Sequence, residues 1–302
     1  MNGMRRHTFR SMGTSVALLG PDGPGFDLAA ANVERTFASI DARFSRFRDD
    51  SELARVNARA GRWTRVSGTF ADLLGLSLEG AAATGGLFDP TILNALVAAG
   101  YDRDFAQLRT GRTASPAPPK RGSWSDVQVR DHSIRLPHGV GLDFGGVAKG
   151  WAVDRACQAA GALPWAVVDA GGDLRVTGRP PEGGVDIAVE HPHVRGREIL
   201  RLKLDGGALA TSSVASRTWG RGLHQLIDPR TSRPSANEVV QATVWAETCA
   251  EAEIWAKQAL LTGVSVLAWQ GAVVVMDDGR MLTSLEGPDR HAADREPVEV
   301  SA

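Results

Sequence analysis

Residues 142–156 read LDFGGVAKGWAVDRA. An acidic residue closes an apolar run, two glycines follow, and a helix-period segment opens with a lysine in its first turn. Such a strand-to-helix junction calls for a mixed α and β architecture. Glycines let a ligand approach the backbone, and free N–H groups at a helix start favour an anion. Lys149 there opposes the helix dipole, so helix stability does not explain it. A packing turn beside a surface lysine accounts for the same residues, and the stretch alone leaves both readings open.

Hydrophobic period places the other elements. A strand spans 7–19, broken at Ser11-Met12-Gly13-Thr14. A helix covers 28–47, with Ala30, Val33, Phe37, Ile40 and Phe44 three or four apart. Ser51 starts a short helix that ends at Asn57, and a second long helix covers 66–84. Short strands are expected at 127–129, 134–136, 140–144, 165–169, 185–189, 199–204, 208–211 and 243–246. Helices are expected at 147–160 and 249–261, and VLAW (266–269) with AVVVM (272–276) reads as a closing hairpin. Helices in pairs between long strand runs indicate an α+β fold rather than a doubly wound sheet. No GxGxxG follows the first strand and no GxxxxGK[ST] occurs, so the usual dinucleotide-fold and P-loop signals are missing. The polar stretch 110–122 reads as an insertion within one domain. The domain is taken as 1–285, with a loose, polar C-terminal tail at 286–302.

Composition removes other classes. With 302 residues, 43% hydrophobic residues and 34 glycines, the chain can bury a core and make many tight turns. A formal net charge of -1 gives no bulk electrostatic reason to bind nucleic acid. Cys157 and Cys249 make no disulfide framework and read as small core residues. The N-terminal MNGMRRHTFRSMG is basic with no apolar segment after it, and no run reaches 18 apolar residues. A soluble, cytoplasmic protein without membrane insertion is expected.

Four further places gather polar groups. Asp169-Ala170-Gly171-Gly172-Asp173 repeats the glycine pair after a buried strand, as a ligand turn or a hairpin turn. Ala210-Thr211-Ser212-Ser213, with Arg217 beyond, suits phosphoryl oxygens or an ordinary cap. His224-Gln225-Leu226-Ile227-Asp228-Pro229, if one strand, puts His224 and Asp228 on one face, where histidine shuttles a proton and aspartate orients it. An Asp-Pro turn also explains Asp228. Glu253 and Lys257, at i and i+4, read alone as a helix-surface salt bridge.

Taken in order, the set resembles the ApbE family of FAD:protein FMN transferases. The resemblance runs from Met12-Gly13-Thr14 to about Gly263 through FSRFRDDSELARVN (44–57), GLFDPT (86–91), LDFGGVAKGWAVD (142–154), VDAGGD (168–173), ALATSS (208–213) and HQLIDPRT (224–231). It implies an ApbE-like, T-fold-related α+β architecture: mixed sheets flanked by helices in a single large domain with an inserted or lobed region. It also implies FAD as substrate, a divalent cation such as Mg2+, and transfer of FMN onto a threonine or serine of an acceptor protein with release of AMP. Alternatives within the resemblance are an FAD pyrophosphatase giving FMN and AMP, and a non-catalytic FAD-binding protein. Carried over by motif, Met12, Ser51, Asp89, Gly145, Gly146, Lys149, Asp154 and Asp173 line or support the flavin nucleotide site. Thr211, Ser212 and Arg217 lie near the phosphates, and His224, Asp228 and Lys149 carry the catalysis. In the late helix the usual metal-ligand aspartate and threonine fall on Glu253 and Lys257. Glutamate can still bind magnesium, whereas a charged lysine repels the cation and can fill its place. Asp169 and Ser213 stand where asparagine and glycine are common.

Overall fold

The computed structural model describes residues 3–108, 122–194, 196–219, 222–263, 271–284 and 298–300. The polar stretch up to 121, the VLAW segment and most of the tail lie outside the described residues. Six α-helices occur among those described: α1 (Phe26–Phe44), α2 (Glu52–Asn57), α3 (Gly68–Ala83), α4 (Leu93–Ala98), α5 (Ala148–Ala159) and α6 (Cys249–Thr262). The chain organises into two compact units, one made of 1–39, 149–215 and 237–302, the other of 40–148 and 216–236. The architecture is mixed α+β, as expected from the element pattern.

The first unit is built on a nine-stranded sheet. Its order is Met4–Ser11, Thr14–Pro21, Trp165–Ala170, Leu174–Gly178, Gly207–Ser213, Val239–Ala246, Ala272–Met276, Met281–Thr283 and Val298–Val300. Every neighbouring pair is antiparallel. The break expected in the first strand is a two-residue hairpin turn at Met12-Gly13, and AVVVM pairs with Val239–Ala246 and Met281–Thr283. A short strand at Val298–Val300 stands within the segment expected to be loose. Trp165, Val167, Leu174, Val176, Ile187, Leu204 and Leu209 pack as one apolar cluster. Each such aliphatic side chain contributes roughly 1.5–3 kcal/mol when fully buried. α6 packs on the strands Gly207–Ser213 and Val239–Ala246. A capping box, Thr248 with Glu251, starts this helix.

In the second unit, Phe44, Phe70 and Phe144 form a ring cluster with centroids 5.5–5.7 Å apart. The two pairs made by Phe144 are edge-to-face, an arrangement that adds about 0.5–1.5 kcal/mol per pair beyond its area. Ser51 caps α2 through Ala54 N–H at 2.9 Å, as the sequence signals. The segment 140–144 is not a strand, although it is apolar and buried. The Asn57 side chain takes both backbone groups of Leu142, accepting from its N–H at 2.8 Å and donating to its carbonyl at 2.9 Å. Asp143 N–H donates to the Pro90 carbonyl at 2.8 Å. A side-chain amide thus stands where a neighbouring strand would, which hydrophobic pattern cannot reveal.

Candidate active site

In the first unit four charged side chains converge from three places in the sequence. Lys149, in the first turn of α5, makes ion pairs with Asp173 and, at 3.1 Å, with Glu253 Oε1. Lys257 lies one turn beyond Glu253 on α6 and reaches the same Oε1 at 3.2 Å and the Glu253 carbonyl at 3.3 Å. Glu253 Oε2 accepts the Gly150 N–H at 2.9 Å, and Asp173 Oδ1 accepts the Thr211 N–H at 3.3 Å. Glu253 and Asp173 are 1% exposed, while the Lys149 and Lys257 side chains keep 20% and 17%. The pair expected on a helix surface is therefore buried, and it belongs to a four-membered cluster with balanced charge.

Burial alone would neutralise these groups, so the pairing decides their charge. It penalises the Lys149 ammonium, but Asp173 and Glu253 outweigh it and hold its pKa above the ordinary lysine value. Burial raises Glu253, yet Lys149 and Lys257 win and keep it below the usual carboxylate range. Asp173 is pushed up to about 6 by burial, opposed by Lys149. Burial lowers Lys257, opposed by Glu253.

The backbone brings these groups together by close approach. A Cβ on Gly150 would sit 2.5 Å from the Cys249 carbonyl oxygen, so α5 and the start of α6 touch only because residue 150 is glycine. The AGGD segment is a two-residue hairpin turn, with φ of 68° at Gly171 and 94° at Gly172. Asp169, where asparagine is common in the resembled family, accepts the Gly172 N–H at 2.9 Å and so spends a carboxylate oxygen on the turn. The Met12-Gly13 turn has φ of 50° and 72°. Met12 is thus a non-glycine residue in the left-handed region, a conformation costing about 1–2 kcal/mol and often retained for function.

Other expected residues have structural tasks. Asp154 is consumed by the start of α6. Its Oδ1 accepts from Cys249 N–H at 2.9 Å and Arg175 at 2.7 Å, and its Oδ2 accepts from Ala250 N–H at 3.0 Å. It supports the cluster by fixing α6, and Arg175 escaped sequence reasoning because no local pattern links it to residue 154. Thr211 Oγ1 lies 2.9 Å from Thr243 Oγ1, and Ser212 is buried on the same strand.

In the second unit, Asp89 Oδ1 accepts from the Thr91 N–H and hydroxyl, both at 2.7 Å. Asp143 accepts from Gly145 N–H at 2.9 Å and pairs with Arg46 at 2.8 Å. A Cβ at Gly145 would lie 2.9 Å from that carboxylate oxygen, and Gly146 follows in the same turn. Arg217 faces the Tyr101 hydroxyl at 3.5 Å and Gln225 Oε1 at 3.4 Å. Trp219 is a core residue, donating to the Ala99 carbonyl at 2.8 Å.

The single strand expected to carry His224 and Asp228 is two. His224 pairs within Leu223–His224 and Thr218–Trp219, and Asp228 within Ile227–Asp228 and Arg233–Pro234, so they share no strand face. The break has a local cause: Leu226 N–H turns back to His224 Nδ1 at 3.3 Å. His224 Nε2 lies 3.1 Å from the Ser235 carbonyl, which can only accept, and Nδ1 accepts the Leu226 N–H, so the ring is assigned as the neutral Nε2–H tautomer. Burial keeps its pKa below the ordinary histidine value. Asp228 holds Arg230 through its N–H at 2.8 Å and its guanidinium at 2.8–3.2 Å.

A divalent cation such as Mg2+ wants about six oxygens in a near-octahedral shell. Both Glu253 oxygens are engaged by ammonium and N–H groups, as are both Asp173 oxygens. No group of three or more His, Cys, Asp or Glu among the described residues is arranged to hold a metal. The residues of this arrangement do not fit a divalent cation. Among the described residues no helix is long and apolar enough to cross a membrane.

Comparison with known proteins places this geometry in a family. The ApbE family model matches residues 12–271. A curated FAD:protein FMN transferase of Klebsiella pneumoniae is 27% identical over 289 residues, covering 88% of this chain and 82% of that protein. One of Treponema pallidum is 28% identical, covering 84% and 75%. The crystal structure of the ApbE protein from Thermotoga maritima superposes with a TM-score of 0.83 at 25% identity, over 93% of this chain and 97% of that one. The flavin transferase ApbE from Vibrio cholerae shares the fold, with a TM-score of 0.79 at 22% identity over 99% and 97%. With the family pattern running through both units, the chain belongs to the ApbE family.

Proposed function

We propose that the protein is an FAD:protein FMN transferase, moving FMN from FAD onto a threonine or serine hydroxyl of an acceptor protein. The observation that carries this reading is the buried Lys149–Asp173–Glu253–Lys257 cluster, within a chain that matches curated transferases over most of its length. The acceptor hydroxyl oxygen attacks the phosphorus on the riboflavin side of the pyrophosphate. The bond from that phosphorus to the bridging oxygen breaks, AMP leaves with the electron pair, and the hydroxyl proton passes to a base.

Such a reaction asks mainly for positioning and charge stabilisation. Lys149 and Lys257 supply positive charge, and the two carboxylates hold them in place. Charge on the departing AMP phosphate is where such stabilisation acts on rate rather than on binding alone. By motif, Met12, Thr211 and Ser212 are assigned to FAD recognition, as are Ser51, Asp89, Gly145, Gly146 and Arg217. His224 and Asp228 remain the groups assigned to the proton. His224 takes it only at Nδ1, after releasing the Leu226 N–H, because Nε2 already carries a proton.

Cytoplasmic residence is part of this reading. Cys157 and Cys249 are both buried and free, so nothing in them calls for an oxidising compartment. Cell fractionation with an antibody to the chain tests it. For the chemistry, an acceptor protein bearing the threonine is incubated with FAD and analysed by mass spectrometry. Gain of FMN mass on that residue, with AMP released in equal amount, is the expected result. FMN and AMP free in solution, with an unmodified acceptor, would make the protein a pyrophosphatase instead.

A further inference from the structure

We propose that the Lys257 ammonium is this site's own tethered cation, and that FAD is bound and processed without a divalent metal ion. The inference rests on the function proposed above and specifies how that site meets the pyrophosphate.

Three observations carry it. First, Lys257 Nζ lies 3.2 Å from Glu253 Oε1, on the α6 carboxylate that falls at the metal-ligand position implied by the family resemblance. A cation and an ammonium cannot share that oxygen at contact distance without strong repulsion. Second, the cluster is complete as it stands. Two ammonium groups face two carboxylates, and Gly150 and Thr211 N–H groups take the remaining carboxylate oxygens. A divalent ion added to this set would leave two positive charges in excess beside side chains that are 1% exposed. Third, the carboxylates are closed to solvent while both lysine side chains retain part of their surface. An approaching anion therefore meets the lysines first.

Phosphate oxygens are the ligand chemistry that fits. An ammonium offers three rotatable donors and a compact charge, which suits the oxygens of a pyrophosphate. Asp173 and Glu253 fix the ammonium positions before the ligand arrives, so little ordering remains to be done on binding.

Metal binding and FAD binding are tested separately. Purified chain, stripped with EDTA and dialysed, is titrated with Mn2+ and the free ion is followed by electron paramagnetic resonance. The wild type and Lys257→Arg are expected to bind none. Lys257→Thr, which removes one of the two ammonium groups on Glu253 Oε1 and adds a hydroxyl, is expected to take up one Mn2+ per chain. Stoichiometric Mn2+ on the wild type overturns the proposal, and so does a folded Lys257→Thr that binds none. Should that variant fail to fold by circular dichroism, Lys257→Ser, which offers the same hydroxyl, takes its place.

FAD affinity is then read by flavin fluorescence in EDTA. Hydrogen bonds to a charged group predict a loss of roughly 10- to 100-fold in Lys257→Met, with Lys257→Arg near wild type. An unchanged affinity in Lys257→Met overturns the role of the ammonium. The Mn2+ result needs no FAD. A chain that excludes Mn2+ yet never flavinylates an acceptor therefore contradicts the transferase reading and leaves the tethered cation supported.

Discussion

The two units use the same polar residue types in opposite ways. In the first, Lys149 meets Asp173 across 24 residues of chain and Glu253 across 104, so the charged cluster exists only when the unit is folded. In the second, Asp89 and Asp228 each hold a group two residues away, and His224 holds one group two residues away and another eleven residues away. Local ties of that kind shape turns, whereas long-range convergence of buried charge builds a pre-organised site. Asp143 stands between the two cases, capping Gly145 locally while pairing with Arg46 at a distance.

The strongest way to break this contrast is to remove the carboxylate that both lysines share. Glu253→Ala leaves two half-buried ammonium groups with Asp173 as the one remaining carboxylate of the cluster. A loss of about 3–5 kcal/mol is expected, read by guanidinium unfolding. A loss under about 1 kcal/mol would mean that the cluster is not held as described.

Next comes Asp154→Ala, which strands the Cys249 and Ala250 N–H groups and the Arg175 guanidinium. The same measurement should show about 2–3 kcal/mol lost. Asp154→Asn, which keeps one acceptor oxygen, should lose less.

A smaller effect in the second unit is read by pH. His224 is buried and neutral, and its folded-state pKa lies below the usual 6.5. The unfolded chain therefore takes up the proton first. Its contribution to stability is fully present above pH 6.5 and is lost as pH falls through the lowered folded value. His224→Gln cannot titrate, so its stability gap from wild type should narrow as pH drops below 6.5. A gap that is constant from pH 8 to pH 5 would contradict the buried neutral ring.

Smallest is Asp228→Asn. Its ion pair with Arg230, whose side chain is 58% exposed, is screened by solvent, and asparagine keeps an acceptor for the Arg230 N–H, so loss of that pair should change stability by about 0–1 kcal/mol. Loss of flavinylation at that nearly constant stability, measured as FMN mass on the acceptor, would place the residue in the chemistry.

These differences also explain what could be read from sequence. Ser51 before Glu52, the helical period of 28–47 and the glycine pair at 171–172 encode short-range geometry, and the structure forms all three, with the helix at Phe26–Phe44 and thus three residues short of its expected end. The segment 140–144 misled because Asn57, far away in sequence, supplies what a strand would. The strand Leu174–Gly178 carries an apolar–polar alternation, Leu-Arg-Val-Thr, that is too short to stand out beside the turn before it, and the six-residue helix α4 is too short for a helical period. At the site, motif order pointed to Lys149, Asp173, Glu253 and Lys257. It could not show that Lys149 is clamped by two carboxylates, nor that Asp154 belongs to the start of α6. Those facts depend on residues about 95–104 positions apart meeting in the fold.

The central claim, that fixed lysine charge holds the linked phosphates of a dinucleotide, meets its most direct test in calorimetry of FAD binding to the wild-type chain in EDTA. One FAD per chain is expected, with an affinity that added Mg2+ does not change. Heat of binding that develops only when Mg2+ is present, or no binding under either condition, would contradict it.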